Sequence, residues 1–127
     1  MYAESRPYET TLSRRLSEFV SKGYETILIS DNMIGYCLIK KEVDRVFFFY
    51  QRVERDTAYC QGGSLLTAVL AKELGTPCYL YPTDYTMPAG DNNHPLCFAG
   101  DEIAPRGVKS FVPQIEKIPL SYVSEKW

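Results

Sequence analysis

The sequence predicts an α/β protein with a doubly wound, mainly parallel five-stranded sheet and helices on both faces. Runs such as "VFFFY" at 46–50 and "CYLYP" at 78–82 are apolar at consecutive positions, which suits strands buried on both sides. Segments with helical spacing separate these runs, giving the strand-helix alternation of a layered α/β fold. The chain has 127 residues, a common length for one domain built on one core. The expectation is a single domain over 1–127.

The elements follow in order. "MYAES" at 1–5 reads as a strand. "TLSRRLSEFVSKG" reads as a helix with Leu12, Leu16, Phe19 and Val20 on one face, Thr10 or Thr11 capping its start and Gly23 its end. "ETILIS" at 25–30 is a strand, "DNMIGYCLIKK" from Asp31 a short helix, and "RVFFFY" a strand. The polar stretch "QRVERDTAYCQGG" leads into a helix over 64–74 with Leu66, Val69 and Leu70 facing inward, and Gly75 and Pro77 end it. "CYLYP" follows as a strand. Residues 83–107, rich in Pro and Gly, read as a long surface loop before a last strand, "VKSFV" at 108–112.

Composition excludes several functions. Hydrophobic residues make up 45% and charged residues 24%, with a formal net charge of -2, so no basic footprint points to nucleic acid. The longest apolar run is far too short to cross a membrane, and no export signal precedes the first strand. A cytoplasmic protein is expected. Cys37, Cys60, Cys78 and Cys97 form no C-x-x-C pair and His94 is the single histidine, a set that predicts reduced thiols and no metal. "DNNHP" at 91–95 has the composition of a turn. Arg14 and Arg15 are expected on the solvated face of their helix. No cofactor is implied.

Two features carry chemistry. Gly62, Gly63 and Ser64 open a helix, where free backbone N–H groups and the helix dipole can hold a phosphate. Arg6 and Arg52 each follow a strand and could bring charge to the same edge. Alternatively, the glycines serve close packing. Asp31, followed by Asn32, stands where a strand becomes a helix; it reads either as a cap bonded to N–H groups near Met33 or Ile34, or as a catalytic carboxylate.

"ESRP", "ISDNMIGYCL", "GGSLLTAVLAKELGTPCYLYP" and "APRGVKSFVPQIEKIPLSYV", in this order, resemble the C-terminal Rossmann-like domain of one superfamily. It contains methylthioribose-1-phosphate isomerase, ribose-1,5-bisphosphate isomerase and the regulatory subunits of the exchange factor for translation initiation factor two. The resemblance makes Asp31 the equivalent of the isomerases' catalytic aspartate. It also exposes departures: the strand bearing the family's catalytic cysteine precedes "ESRP" and has no counterpart here, Gln51 replaces an aspartate beside Arg52, Cys60 and Gln61 replace an Asn-Lys pair, and Thr10 replaces a glutamine. Dropping that central strand implies the order 2-1-3-4-5. These departures imply a non-catalytic binding or assembly module, with a phosphorylated small molecule as ligand through Arg6, Asn32, Arg52, Gly62, Gly63 and Ser64. The alternative is the truncated catalytic half of an aldose-ketose sugar-phosphate isomerase. The expected partners are further copies of the chain, or a partner chain that supplies the strand; no nucleic acid or membrane is expected.

Overall fold

The computed structural model describes residues 1–3, 9–82, 97–98 and 101–126. Nine strands and three helices occur there in mixed order: β1 (Tyr2–Ala3), α1 (Glu9–Ser21), β2 (Leu28–Ile29), α2 (Ile34–Ile39), β3 (Val46–Glu54), β4 (Thr57–Gln61), α3 (Ser64–Glu73), β5 (Cys78–Pro82), β6 (Cys97–Phe98), β7 (Asp101–Glu102), β8 (Ile115–Pro119) and β9 (Glu125–Lys126). Single 3-10 turns cover Asp31–Met33 and Leu120–Tyr122.

The main sheet has five strands in the order β8-β4-β3-β5-β9 and is mixed. β3 runs parallel to β5, β5 runs parallel to β9, and β4 is antiparallel to both β3 and β8. β1 and β2 form a separate parallel pair, and β6 and β7 an antiparallel one. The expected parallel neighbours are therefore present as β2-β1 and β3-β5, but the continuous parallel order 2-1-3-4-5 is not found among the described residues. The mixed character of the sheet comes from a hairpin: "QRVERDTAYC", read from sequence only as a polar stretch before a helix, extends β3 to Glu54 and returns as β4, with Glu54 opposite Thr57. Its turn residues are Arg55 and Asp56, and Arg55 takes φ 54°, a conformation for which hairpins normally recruit glycine. The last main strand also moves. "VKSFV" is not a strand; "IEKIP" is, at the sheet edge beside β4, where the terminal Pro119 leaves no unmade ladder bond inside the sheet.

One core forms where the sheet meets α2 and α3. Phe48, Ala58, Cys60, Leu80 and Ile118 pack with Leu38, Ala68 and Ala71. Small residues let α3 lie close to the sheet, and this rotates the expected helix face: Leu70 packs against the core as expected and Thr67, Ala68 and Ala71 are buried, whereas Leu66 is 60% exposed and Val69 is also exposed. On the opposite face, Phe47 stacks with Tyr79 at 5.4 Å and Phe49 meets Tyr81 edge-on at 5.8 Å between ring centroids. α1 covers part of this face. Arg15 sits over Phe49 at 4.1 Å, so its guanidinium packs on an aromatic ring rather than pointing only to water. α1 begins at Glu9, which places Thr10 and Thr11 inside its first turn instead of at its cap.

The three helices stop in the same way. Gly23 N–H donates to the Val20 carbonyl and Tyr24 N–H to that of Phe19; Gly75 and Thr76 repeat this pattern on Lys72 and Ala71, and Lys41 and Glu42 on Leu38 and Cys37. These are Schellman closures, each with a left-handed residue just past the end. Gly23 and Gly75 fill that position as expected, but Lys41 adopts it at φ 57°.

Candidate functional site

The register places Cys60 opposite Tyr50 and Tyr50 opposite Pro82. α3 therefore starts near the C-terminal end of β5, the edge at which open α/β sheets bind ligands. Its opening is built from glycine for structural reasons. A Cβ on Gly62 would lie 2.8 Å from the Pro113 carbonyl oxygen, and Gly62 N–H donates to the Gln114 carbonyl at 2.8 Å. Gly63 holds the N-cap position at φ 91°, where an L side chain is strained. Both glycines are thus explained by the join between α3 and the approach to β8.

Gly63 has no side chain with which to cap the helix. Glu116, on β8, does so from across the sheet: Leu65 N–H donates to its Oε2 at 2.7 Å. A carboxylate at a helix N-terminus satisfies an orphan donor and meets the positive end of the dipole. The anion cradle expected from Gly62, Gly63 and Ser64 therefore already holds an anion belonging to the chain. Nearby, Gln114 is 3% exposed, and its side-chain Oε1 is buried without a hydrogen-bond partner among the described residues. Neither Glu116 nor Gln114 was among the residues singled out from sequence, because no local pattern links them to a helix fifty residues earlier.

Cys60 lies beside this cap. Burial pushes its thiol up to about 12, and the Glu116 charge adds to the effect. Burial alone moves Cys78 to about 11. Both are protonated near neutral pH, the opposite of an activated cysteine nucleophile.

Arg6 lies outside the described residues, as does "DNNHP". Arg52 stands on the projecting hairpin, donating from Nε to Glu54 at 2.7 Å while its guanidinium covers the Tyr59 ring at 3.8 Å. Asp31 follows β2 in the smaller sheet. It is the first residue of a 3-10 turn whose N-cap position belongs to Ser30, and the Ile34 N–H bonds its backbone carbonyl. Asp31 is thus a half-buried first-turn residue and not the cap itself. Ser30 Oγ donates to Asn32 Oδ1 at 2.6 Å, which engages the amide locally. Among the described residues, no group of three His, Cys, Asp or Glu side chains is placed to hold a metal, and no helix is long and apolar enough to cross a membrane.

Residues 1–125 match the Initiation factor 2 subunit family. The chain belongs to that family. Among curated relatives, a putative methylthioribose-1-phosphate isomerase from Archaeoglobus fulgidus is 29% identical over 95% of this chain and 39% of its own length. The methylthioribose-1-phosphate isomerase of Carboxydothermus hydrogenoformans is 31% identical with the same coverage. This member of the family thus spans about two fifths of the length of the relatives it matches. The crystal structure of translation initiation factor eIF-2B subunit delta from A. fulgidus superposes with a TM-score of 0.73 at 27% identity, covering 86% of this chain and 35% of that one. That of 5-methylthioribose 1-phosphate isomerase from Pyrococcus horikoshii superposes with a TM-score of 0.78 over 98% of this chain and 38% of that one, at 24% identity, a likeness of fold.

Proposed function

We propose that the chain is a non-catalytic Rossmann-like assembly module of the initiation factor 2 subunit type. The observation that carries this reading is Glu116 at the N-terminus of α3, 2.7 Å from the Leu65 N–H. A phosphate arriving there would have to displace or approach a fixed negative charge, with Arg52 already engaged by Glu54. The thiol nearest the site is held protonated. What the surface offers instead is apolar area. Tyr36 and Ile39 on α2, and Leu66 and Val69 on α3, are exposed, with Ile39 at 65%. The two helices pack against each other, and exposed apolar surface of this kind is the mark of an interaction site. Pairing of copies through these helices follows from that reading.

The purified chain is expected to show no isomerisation of methylthioribose 1-phosphate or ribose 1,5-bisphosphate, and no thermal shift with either compound at millimolar concentration. A ligand present at 100 times its dissociation constant would stabilise the fold by about 2.7 kcal/mol, an easily read shift. A second reading rests on Asp31, which stands half-buried directly after β2 as the equivalent of the isomerases' aspartate. In it the chain is a catalytic half that works only with a companion. Turnover that is lost in Asp31→Asn would establish this second reading and remove the first.

A further inference from the structure

Phe111 is the most exposed large hydrophobic side chain among the described residues, at 84%. Its neighbours Ser110 and Val112 are half-buried, so the backbone lies against the molecule while the ring projects from it. The segment is ordered on both sides of the ring. Before it, Val108 N–H donates to the Pro105 carbonyl at 2.9 Å, closing a turn in which Gly107 supplies the left-handed residue at φ 86°. After it, Gly62 N–H donates to the Gln114 carbonyl, and the Pro113 carbonyl oxygen sits 2.8 Å from where a Cβ on Gly62 would lie. That second tie fixes Phe111 beside the opening of α3, because two residues of extended chain, about 7 Å, separate it from Pro113. The first turns of α3 carry the exposed Leu65, Leu66 and Val69. Their i, i+1, i+4 spacing sets them along one stripe. Past the other end of the helix, Leu74 is exposed as well.

We infer that Phe111 anchors the pairing of two copies, its ring seating on the second copy's α3 near Leu74. This deepens the assembly reading and rests on it. A twofold axis that crosses α3 at its exposed stripe lays the two copies of the helix antiparallel, so the first turn of each lies beside the last turn of the other. α3 spans Ser64–Glu73, about 15 Å of helix. A ring held just outside its first turn therefore comes beside the end of the second copy's α3, where Leu74 is exposed. The symmetry makes the seating reciprocal. An all-carbon ring calls for an apolar seat, and every copy of the chain carries both ring and seat. The area at stake makes the ring decisive. At 84% exposure, Phe111 has roughly 130–210 Å² to bury, given about 150–250 Å² for a whole aromatic side chain. The smallest specific interfaces bury about 500 Å² per copy, so this one residue supplies a quarter or more. The ordered turn before it lowers the entropy lost on contact, because the ring is already held outward.

The test uses the full purified chain. Phe111→p-benzoylphenylalanine is mixed with isotopically labelled wild-type chain and irradiated. The expected adduct joins the two isotopic forms and maps to 64–74, α3 with Leu74. In sedimentation equilibrium, Phe111→Ala should weaken self-association about tenfold or more, as loss of a central aromatic anchor does. Phe111→Trp, which keeps a large apolar ring, should retain it. Phe111 is exposed in the single chain, so both variants should keep the wild-type circular dichroism spectrum. An adduct within one chain, an adduct elsewhere on the second copy, or capture of a different protein in preference to a second copy when the mixture is made in cell lysate would overturn the inference. So would a Phe111→Ala variant that associates as tightly as a self-associating wild type, and that outcome leaves the assembly reading standing. A wild-type chain that is strictly monomeric at tens of micromolar would remove the assembly reading itself, so the two failures are distinguishable.

Discussion

Glu116 does for α3 what an Asn, Asp or Ser at the N-cap does for most helices, but from another strand. Replacing it by alanine leaves the Leu65 N–H without its charged acceptor and should lower stability by about 1–2 kcal/mol, in line with the loss of a cap together with its dipole interaction. Glu116→Gln keeps an acceptor and removes the charge, so urea unfolding should place it between the wild type and Glu116→Ala. Cys60 supplies a prediction in pH. Its ordinary value is 9.0, and burial, with Glu116, holds it at about 12 in the fold. Above pH 9 the unfolded chain loses this proton while the folded chain keeps it. The unfolded state then binds fewer protons, so stability is fully present below pH 9 and falls as pH rises toward 12. Cys78, held at about 11, adds a loss of the same sign between 9 and 11. The urea midpoint should therefore fall between pH 8 and 10.5, and less steeply in Cys60→Ala. A midpoint falling equally in both proteins would show that Cys60 does not contribute.

At the level of elements, legibility followed how local the determinants were. α1, α3 and β5 could be located because their apolar runs and the stop signals Gly23, Gly75 and Pro77 are contained in the segments themselves, although Val20 on α1 and Leu66 and Val69 on α3, expected to face inward, are exposed. The β3-β4 hairpin could not, because Arg55 occupies a turn position that glycine usually announces, and because Arg52, Glu54 and Tyr59 make the strands look like loop while Val53, Ala58 and Cys60 carry the inward face. β8 was masked by its flanking prolines. The glycines at 62 and 63 were visible, but their cause was not: the Pro113 carbonyl that forbids a Cβ at Gly62 and the Glu116 carboxylate that caps α3 come from the far end of the chain. Lys41 is the element-level test. It stands left-handed at the end of α2, at φ 57°, where a side chain costs about 1 kcal/mol relative to glycine. Lys41→Gly should raise stability by about 0.5–1 kcal/mol, despite the greater chain entropy of glycine when unfolded. Arg55 at φ 54° poses the same question for the hairpin.

For the whole molecule, the small residues that bring α3 onto the sheet determine what remains outside. A helix buried through Thr67, Ala68 and Ala71 leaves Leu66 and Val69 on the opposite side, and α2, buried through Cys37 and Leu38, leaves Tyr36 and Ile39 outward. Tyr36 and Ile39 are three residues apart, as are Leu66 and Val69, so each pair lies on a single helical face. Apolar side chains exposed on two packed helices gain more by burial against a copy of the chain than by exposure, since each fully buried large side chain contributes roughly 1.5–3 kcal/mol. A twofold contact repeats every residue on both sides, so one charge introduced into the face appears twice in the interface. Light scattering at tens of micromolar should accordingly find the wild-type chain self-associated, and Ile39→Glu or Leu66→Glu monomeric with an unchanged circular dichroism spectrum. Both positions are already exposed in the single chain, so these substitutions leave its core intact. A wild-type chain that is strictly monomeric at that concentration would refute self-association, and mutants that remain associated would refute this face as its seat.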